Sequence, residues 1–136
     1  EKNIAGEYQK SKVPLLDCKG DAQKIKFVFA RILDNAVKYS DPGKKVIIKS
    51  EAKDKELIFS IIDNGIGIPQ AEQSRIFTKF YRASNSYKMA QNASGLSLYI
   101  SEYFIELHGG RIWFESKEDE GTTVYFSLPI ENRITN

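Results

Sequence analysis

The segment DNGIGIP, residues 63–69, closes a run of apolar residues with an acid, an amide and two glycines that are two positions apart. The run before it, ELIFSIID (56–63), is rich in β-branched and aromatic residues, which predicts a strand ending at the acid. Gly65 and Gly67 allow positive φ angles and let a bulky group approach the main chain. Asp63 would lie at the mouth of the strand, where its carboxylate could accept a hydrogen bond from an exocyclic amine. A tight turn with an acidic cap is the simpler explanation when the segment is taken alone.

A hairpin and a helix are predicted upstream of this segment. The run KVIIKSEA (45–52) is similar to ELIFSIID in composition, and the polar loop KDK between them predicts a β-hairpin. Asp21 is a suitable N-cap, and apolar residues follow it at the spacing of one helical face until SDPG (40–43) ends the pattern. These apolar residues are Ile25, Val28, Phe29, Ile32, Leu33 and Ala36.

Two helices and a second hairpin are predicted downstream. The stretch AEQSRIFTKF (71–80) is a short helix candidate, and the polar residues after it, up to Ser94, predict a mobile loop. Ser94 can cap a helix that Gly109 and Gly110 end, with one apolar face made of Leu96, Tyr99, Ile100, Tyr103, Phe104 and Leu107. The runs RIWFESKE and TTVYFSLPI, joined around DEG, predict two further strands.

The order of these elements favours the α+β class. Strands come in pairs rather than alternating with helices, which predicts a layer of helices on one face of a mostly antiparallel sheet. A length of 136 residues fits one domain. We assign residues 13–131 to this domain, residues 1–12 to a linker or the frayed end of a preceding helix, and residues 132–136 to a tail.

Composition excludes several classes of function. A balance of 20 basic and 18 acidic side chains, without a basic cluster, argues against nucleic acid as a partner. No apolar run approaches the roughly 20 residues of a membrane span, so the chain is not expected to insert into a membrane. One cysteine and one histidine cannot build a disulfide or a zinc site, which favours a reducing compartment.

The first predicted helix carries a polar stripe beside its apolar face. Arg31, Asn35 and Lys38 lie four and three residues apart, which places them on one flank. The Asn35 carbonyl suits a hard cation such as Mg²⁺, and Lys38 can reach a phosphate. A solvated helix flank is the better explanation of each residue when it is taken singly.

Six segments occur together in the order typical of one protein family. They are NAVKYS (35–40), DNGIGIP (63–69), IFTKFYR (76–82), GLSLYI (95–100), LHGGR (107–111) and GTTVYFSLP (121–129). With these motifs, the chain from about Val13 to Ile130 resembles the catalytic and ATP-binding domain of a sensor histidine kinase, in the wider group that includes gyrase and Hsp90. The resemblance implies a two-layer α/β sandwich of the Bergerat type, and a protein histidine kinase as the enzyme.

The resemblance also implies a set of site residues. Asn35 would ligate Mg²⁺, Lys38 would approach the phosphates, and Asp63 would accept a hydrogen bond from the adenine amine. Asn35 and Lys38 are thus the implied catalytic residues, and Asn35 is the implied metal ligand. The implied ATP-binding residues are Asn35, Lys38, Tyr39, Asp63, Gly65, Gly67, Ile68, Phe80, Arg82, Gly95, Leu96 and Thr122. Residues 83–94 would form a lid over the nucleotide.

Three positions depart from the family pattern. Arg31 stands where the family usually has an asparagine or an acid, and a cation cannot coordinate Mg²⁺. Ala93 and Ser97 replace two glycines of the second glycine motif, which restricts the backbone and would cost about 1–3 kcal/mol. These departures support one alternative, an impaired, pseudokinase-like docking domain with weak or no nucleotide binding. A second alternative, an ATP hydrolase or serine kinase of the wider group, is disfavoured because Arg31 replaces the acid that the hydrolases use to activate water.

Further expectations concern partners and location. The resemblance implies a dimerisation and histidine-phosphotransfer domain of the same protein, and a response regulator, as partners. It implies a cytoplasmic and monomeric domain, and leaves open whether the whole protein is membrane-anchored. We do not expect His108 to be the phosphoacceptor, because in the family that histidine belongs to a separate helical domain. A structural role at the end of the second long helix explains His108 instead.

Overall fold

The computed structural model describes residues 5–9, 17–18, 21–77 and 97–131. Within them lie six strands and two α-helices. The strands are β1 (Ala5–Gln9), β2 (Asp17–Cys18), β3 (Lys45–Lys53), β4 (Glu56–Ile62), β5 (Ile112–Lys117) and β6 (Gly121–Glu131). The helices are α1 (Ala22–Tyr39) and α2 (Ser97–Leu107), and a short 3-10 helix spans Gln70–Arg75.

The strands form one mixed, mostly antiparallel sheet. Strands β1, β3, β4 and β6 follow one another across it, while β5 and β2 both pair with the far side of β6. Only the β1–β3 pairing is parallel among the pairs described. The predicted α+β class with a mostly antiparallel sheet is therefore confirmed.

Strand β1 differs from the linker that we predicted over residues 1–12. Ala5–Gln9 pairs with Lys45–Lys49 of β3, so this part of the expected linker is integrated into the sheet. An edge strand is held by backbone hydrogen bonds, which leave little trace in the side-chain pattern. The predicted tail, residues 132–136, lies outside the described residues.

Helix α1 begins and ends where the sequence predicted. Asp21 is the N-cap, and its Oδ1 accepts hydrogen bonds from the backbone N–H groups of Gln23 (3.0 Å) and Lys24 (3.3 Å). At the other end, Ser40 Oγ donates to the Ala36 carbonyl at 2.6 Å. The helix presents Val28, Ile32 and Ala36, all buried, to the sheet.

The core lies between the two helices and one face of the sheet. Its buried members are Val28, Ile32, Ala36, Val46, Ile61, Ile105, Phe126 and Leu128. Phe29 of α1 packs edge-on against Phe59 at 4.8 Å and Phe126 at 5.0 Å between ring centroids. Such aromatic contacts add to the stabilisation from burial and bind α1 to the centre of the sheet.

The apolar face predicted for α2 is only partly correct, because, of its residues, Phe104 packs against the core while three others are exposed. Tyr99, Tyr103 and Leu107 are exposed, whereas Ser101 and Ile105 are fully buried. Because apolar residues occur on several sides of this helix, their spacing could not identify the side that faces the core. The packing of α2 against α1, β5 and β6 makes that selection, and it buries a serine where the pattern favoured tyrosines.

The short helix also differs from its prediction. We expected a helix over residues 71–80, but the structure has a 3-10 helix over Gln70–Arg75 that follows Pro69. The side-chain amide of Gln73 donates to the carbonyls of Ile68 and Ser116, both at 3.0 Å, which attaches this turn to β5. The loop predicted up to Ser94, and Ser94 as a helix cap, lie outside the described residues.

His108 connects the end of α2 to the start of α1. Its Nδ1–H donates to the Phe104 carbonyl at 2.7 Å, and its Nε2 accepts from the Asp21 N–H at 2.8 Å. Both ring nitrogens are therefore engaged in the folded chain. This arrangement agrees with a structural role rather than with phosphate acceptance.

Replacing His108 with alanine is expected to lower the free energy of unfolding by about 1–2 kcal/mol, because two hydrogen bonds between helix ends are lost. Urea unfolding followed by circular dichroism measures this change. Leu107→Ala is the matched control, since Leu107 is 57% exposed and its removal should cost little. Equal unfolding midpoints for the two variants would contradict the structural role of His108.

Candidate functional site

Asp63 lies directly after β4 and is 9% exposed. Its Oδ1 accepts hydrogen bonds from the backbone N–H groups of Gly65 at 3.0 Å and Thr122 at 3.1 Å. Its own N–H donates to the Thr122 carbonyl at 2.8 Å. The carboxylate is thus held in one orientation, and in the described part of the chain no hydrogen bond reaches Oδ2.

Burial raises the pKa of the Asp63 carboxyl from 3.8 to about 6, and the two hydrogen bonds from Gly65 and Thr122 only partly oppose this rise. The side chain is therefore ionised at neutral pH, at a cost in stability. A buried carboxylate that is retained despite such a cost is a candidate for binding a hydrogen-bond donor.

The two glycines of DNGIGIP are required by the protein's own backbone. A Cβ atom at Gly65 would lie 1.9 Å from the carbonyl oxygen of Tyr39, and one at Gly67 would lie 2.1 Å from that of Lys117. Gly67 also has a φ of +66°, whereas Gly65 does not need a positive φ. We expected these glycines to let a bulky group approach the main chain. In the structure, the groups that approach are the backbone carbonyls of Tyr39 and Lys117.

This close packing attaches the loop to the end of α1. Gly65 forms an isolated β-bridge with Ser40, and the Ile66 N–H donates to the Tyr39 carbonyl at 3.1 Å. The last two turns of α1, which carry Asn35, Lys38 and Tyr39, therefore end beside the Asp63 loop. The sequence motifs at 35–40 and 63–69 meet at this junction.

The charged residues near the end of α1 have identifiable partners. Lys38 Nζ lies 2.9 Å from Asp34 Oδ2, and both side chains are about 40% exposed. Ion pairs of this exposure typically contribute no more than about 1 kcal/mol, so the pair with Asp34 holds Lys38 only weakly. The Arg31 guanidinium lies over the Phe27 ring at 5.6 Å, and in the described part of the chain its buried Nε has no hydrogen-bond partner.

A hydroxyl network lies on the other side of the Asp63 loop. Ser116 Oγ accepts from the Ile68 N–H at 2.8 Å and lies 2.7 Å from Thr122 Oγ1. We did not predict roles for Ser116 and Gln73, although Ile68 and Thr122 were in the implied set. No local pattern distinguishes Ser116 or Gln73 from other polar residues, because the hydrogen bonds from Ile68 N–H to Ser116 Oγ and from Gln73 Nε2 to the Ser116 carbonyl span 48 and 43 residues.

Several predicted site residues lie outside the described residues. These are Phe80, Arg82, Ala93, Gly95 and Leu96, together with the lid at residues 83–94. Phe77, at the edge of the described range, packs against Phe114 with ring centroids 5.7 Å apart. The described part of the site therefore comprises Asn35, Lys38, Tyr39, Asp63, Gly65, Gly67, Ile68 and Thr122.

The described residues are compatible with a magnesium ion whose other ligands would come mostly from a bound nucleotide and water. Among the described residues, no group of three histidine, cysteine, aspartate or glutamate side chains could hold a metal ion. Mg²⁺ at phosphate sites needs only one or two protein oxygens, because phosphates and waters supply the rest. The Asn35 side chain on α1 can supply one such oxygen.

A separate concave region lies on the face of the sheet opposite the helices, with a volume of about 290 Å³. Trp113 and Tyr125 stack there with centroids 5.2 Å apart, and the Arg111 guanidinium lies 4.1 Å above the Trp113 ring. Arg111 is also paired with Glu56 at 3.1 Å. The Trp113 ring is thus packed against its own neighbours, as we expected, rather than presented as a platform for a base.

None of the described helices is long and apolar enough to cross a membrane.

Residues 20–132 match the family described as Histidine kinase-, DNA gyrase B-, and HSP90-like ATPase. The signal transduction histidine-protein kinase ArlS of Staphylococcus aureus strain USA300 is 39% identical over 108 residues, which are 79% of this chain. The chain spans about a quarter of the length of such curated relatives, 24% for ArlS.

Solved structures of similar fold include two proteins that are each 27% identical to this chain. The mycobacterial sensor histidine kinase MprB has a TM-score of 0.80, over 95% of this chain and 83% of its own. A nucleotide-free form of the catalytic domain of histidine kinase ThkA has a TM-score of 0.78, over 93% of this chain and 79% of its own.

Proposed function

This chain belongs to the Histidine kinase-, DNA gyrase B-, and HSP90-like ATPase family, as an ATP-binding catalytic domain of the sensor histidine kinase type, and we propose that it holds Mg-ATP for phosphoryl transfer to a histidine on another domain. The chain spans only part of its relatives, so the acceptor histidine and the response regulator belong to this proposal. We also infer that the domain works in the cytoplasm, where ATP is supplied.

The observation that carries the proposal is the buried carboxylate of Asp63. Oδ1 is occupied by two backbone N–H groups, which leaves Oδ2 to accept from the adenine amine. Gly65 and Gly67 support this by keeping the loop in close contact with α1 and with the β5–β6 turn. Thr122 donates its N–H to the same carboxylate, and Ile68 is linked to Thr122 through the Ser116 hydroxyl, so both would serve the base side of the site.

Asn35 and Lys38 would serve the phosphate side. The Asn35 carbonyl oxygen would hold Mg²⁺, which when bound neutralises charge on the phosphates. Lys38 would exchange its exposed partner Asp34 for a phosphate oxygen. Phosphoryl transfer is promoted mainly by positioning and charge stabilisation, so these residues need form no covalent bond with the nucleotide.

The phosphoacceptor would come from elsewhere in the protein. His108 is the only histidine of the chain, and its two ring nitrogens contact Phe104 and Asp21. An acceptor histidine must present a free nitrogen to the γ-phosphoryl group. The isolated chain should therefore bind nucleotide and transfer no phosphoryl group to itself.

Calorimetric titration with ADP, with and without Mg²⁺, tests this function. We expect micromolar binding that Mg²⁺ strengthens, and we expect Asn35→Ala to remove the strengthening by Mg²⁺ while ADP still binds without metal. Gln23→Ala is the matched control, because it deletes an exposed side-chain amide at the opposite end of the same helix.

Two outcomes would contradict this assignment. If binding is independent of Mg²⁺ in the parent protein, Asn35 has no metal role and Arg31 has replaced metal binding. If ADP does not bind up to millimolar concentration, the chain does not act as a kinase domain, and the docking-domain alternative is favoured.

A further inference from the structure

The hydroxyl of Ser116 joins three parts of the candidate nucleotide site. It is half-buried on β5 and accepts a hydrogen bond from the Ile68 N–H at 2.8 Å. It lies 3.1 Å from the carbonyl oxygen of Gly121 and 2.7 Å from Oγ1 of Thr122. The second distance is short enough that one of the two hydroxyls donates to the other.

The number of available protons constrains the direction of these hydrogen bonds. A serine or threonine hydroxyl has one proton and two acceptor lone pairs. If Ser116 donates to the Gly121 carbonyl, its oxygen accepts from both the Ile68 N–H and the Thr122 hydroxyl, and all three contacts are hydrogen bonds. If Ser116 donates to Thr122 instead, its contact with Gly121 has no proton. The first arrangement satisfies every contact and is favoured.

In the favoured arrangement, Thr122 is an acceptor towards the nucleotide site. Its only proton points to Ser116, so Oγ1 presents lone pairs in its other directions. Thr122 is also joined to Asp63 by two hydrogen bonds. The Thr122 N–H donates to the Asp63 carboxylate at 3.1 Å, and the Asp63 N–H donates to the Thr122 carbonyl at 2.8 Å. An ionised carboxylate is likewise an acceptor. Two acceptors, the Thr122 hydroxyl and the Asp63 carboxylate, therefore belong to hydrogen-bonded neighbours at the place where the base is proposed to bind.

We propose that Ser116 is a positioning residue that sets base selectivity by holding the Thr122 hydroxyl as an acceptor beside Asp63. Paired acceptors bind the amine that adenine carries and repel the carbonyl oxygen that guanine and hypoxanthine carry at the same ring position. The inference rests on the proposed function, because it requires the base to lie against Asp63. Ser116 itself need not touch the nucleotide.

The test compares ADP with inosine diphosphate, whose base has a carbonyl in place of the adenine amine. The parent chain should prefer ADP. In Ser116→Ala the Thr122 proton is free to turn towards the base and donate to that carbonyl. The ratio of the two affinities should then fall about tenfold, mainly because inosine diphosphate binds more tightly. General damage to the site would weaken both nucleotides together and leave the ratio unchanged.

Two variants serve as controls for Ser116→Ala. Ser116→Thr keeps the hydroxyl and should keep the parental ratio. Ser127→Ala removes another buried hydroxyl of the sheet, one that bonds to Arg111 N and Glu56 Oε1 instead of to the site, and it should also keep the ratio. Thermal unfolding checks that each variant folds. If Ser116→Ala does not fold, Ser116→Cys takes its place, because its sulfur nearly keeps the volume but accepts the Thr122 proton much more weakly.

The outcomes separate this inference from the proposed function. A lowered ratio in folded Ser116→Ala, restored in Ser116→Thr, supports the inference. An unchanged ratio with intact ADP binding overturns the role of Ser116 and leaves the nucleotide site standing. A parent chain that binds neither nucleotide overturns both.

Discussion

Replacing Gly65 with alanine is expected to remove most of the stability of the domain, by about 4 kcal/mol or more. The new methyl group would lie 1.9 Å from the Tyr39 carbonyl oxygen and 2.9 Å from Ser40 Cα, which are backbone atoms that no side-chain rotation can move. This clash is relieved only if the loop separates from the end of α1, to which the Ser40–Gly65 bridge and the Ile66–Tyr39 hydrogen bond attach it. Single-domain proteins have only about 5–15 kcal/mol of stability, so this loss is severe.

Gly43→Ala is the matched control for this prediction. Gly43 has a φ of +83°, but nothing lies within 4 Å of the position that its Cβ would occupy. The variant therefore isolates the cost of the left-handed backbone, about 1 kcal/mol, from the cost of a clash. Urea unfolding of both variants gives the comparison. Similar losses at the two positions would show that the contact between the loop and α1 is not tight in solution.

The variant Asp63→Asn is expected to bind ADP at least about 100-fold more weakly than the parent. The backbone N–H groups of Gly65 and Thr122 must keep an acceptor, so the new carbonyl oxygen would occupy the position of Oδ1. The amide NH₂ would then take the position of Oδ2 and present protons to the adenine amine, which also presents protons. An acceptor is replaced by a donor, and calorimetric titration measures the loss.

The same variant should be more stable than the parent at neutral pH. Because the pKa of Asp63 rises to about 6 on folding, from 3.8, the buried carboxylate destabilises the fold above pH 6 by up to about 3 kcal/mol. As the pH falls from 6 towards 4, the folded state takes up a proton before the unfolded state does, and the penalty disappears. Asparagine carries no charge at any pH, so the advantage of the variant should shrink over the same window.

Urea unfolding at pH 7.5 and pH 4 tests this dependence. A variant that binds ADP weakly and is more stable only at the higher pH would identify Asp63 as a residue that lowers stability in return for recognition. Equal stability of variant and parent at both pH values would mean that the carboxyl is not desolvated. Unchanged ADP affinity would remove Asp63 from the base side of the site.

The parts of the fold that were predicted correctly depend on local spacing. The apolar residues of α1 repeat with the period of a helix, Asp21 is a typical N-cap, and the run ending at Asp63 has the composition of a strand. The parts that were predicted wrongly lack such a signal. Strand β1 is defined by its pairing with β3, and the buried face of α2 was selected by its packing and not by the positions of its tyrosines.

The sequence by itself determined which residues are the candidates for the chemistry of this domain: the motifs around Asn35, Asp63 and Thr122 stand in the family order, and each lies on or beside a locally predictable element. Only the tertiary structure decided how these groups act together. Thr122 reaches Asp63 across 59 residues and Ser116 reaches Ile68 across 48, so no local pattern encodes their hydrogen bonds. Burial then raises the pKa of Asp63, and the hydroxyls of Ser116 and Thr122 come within 2.7 Å of each other, because desolvation and hydrogen bonding depend on the neighbours that folding supplies.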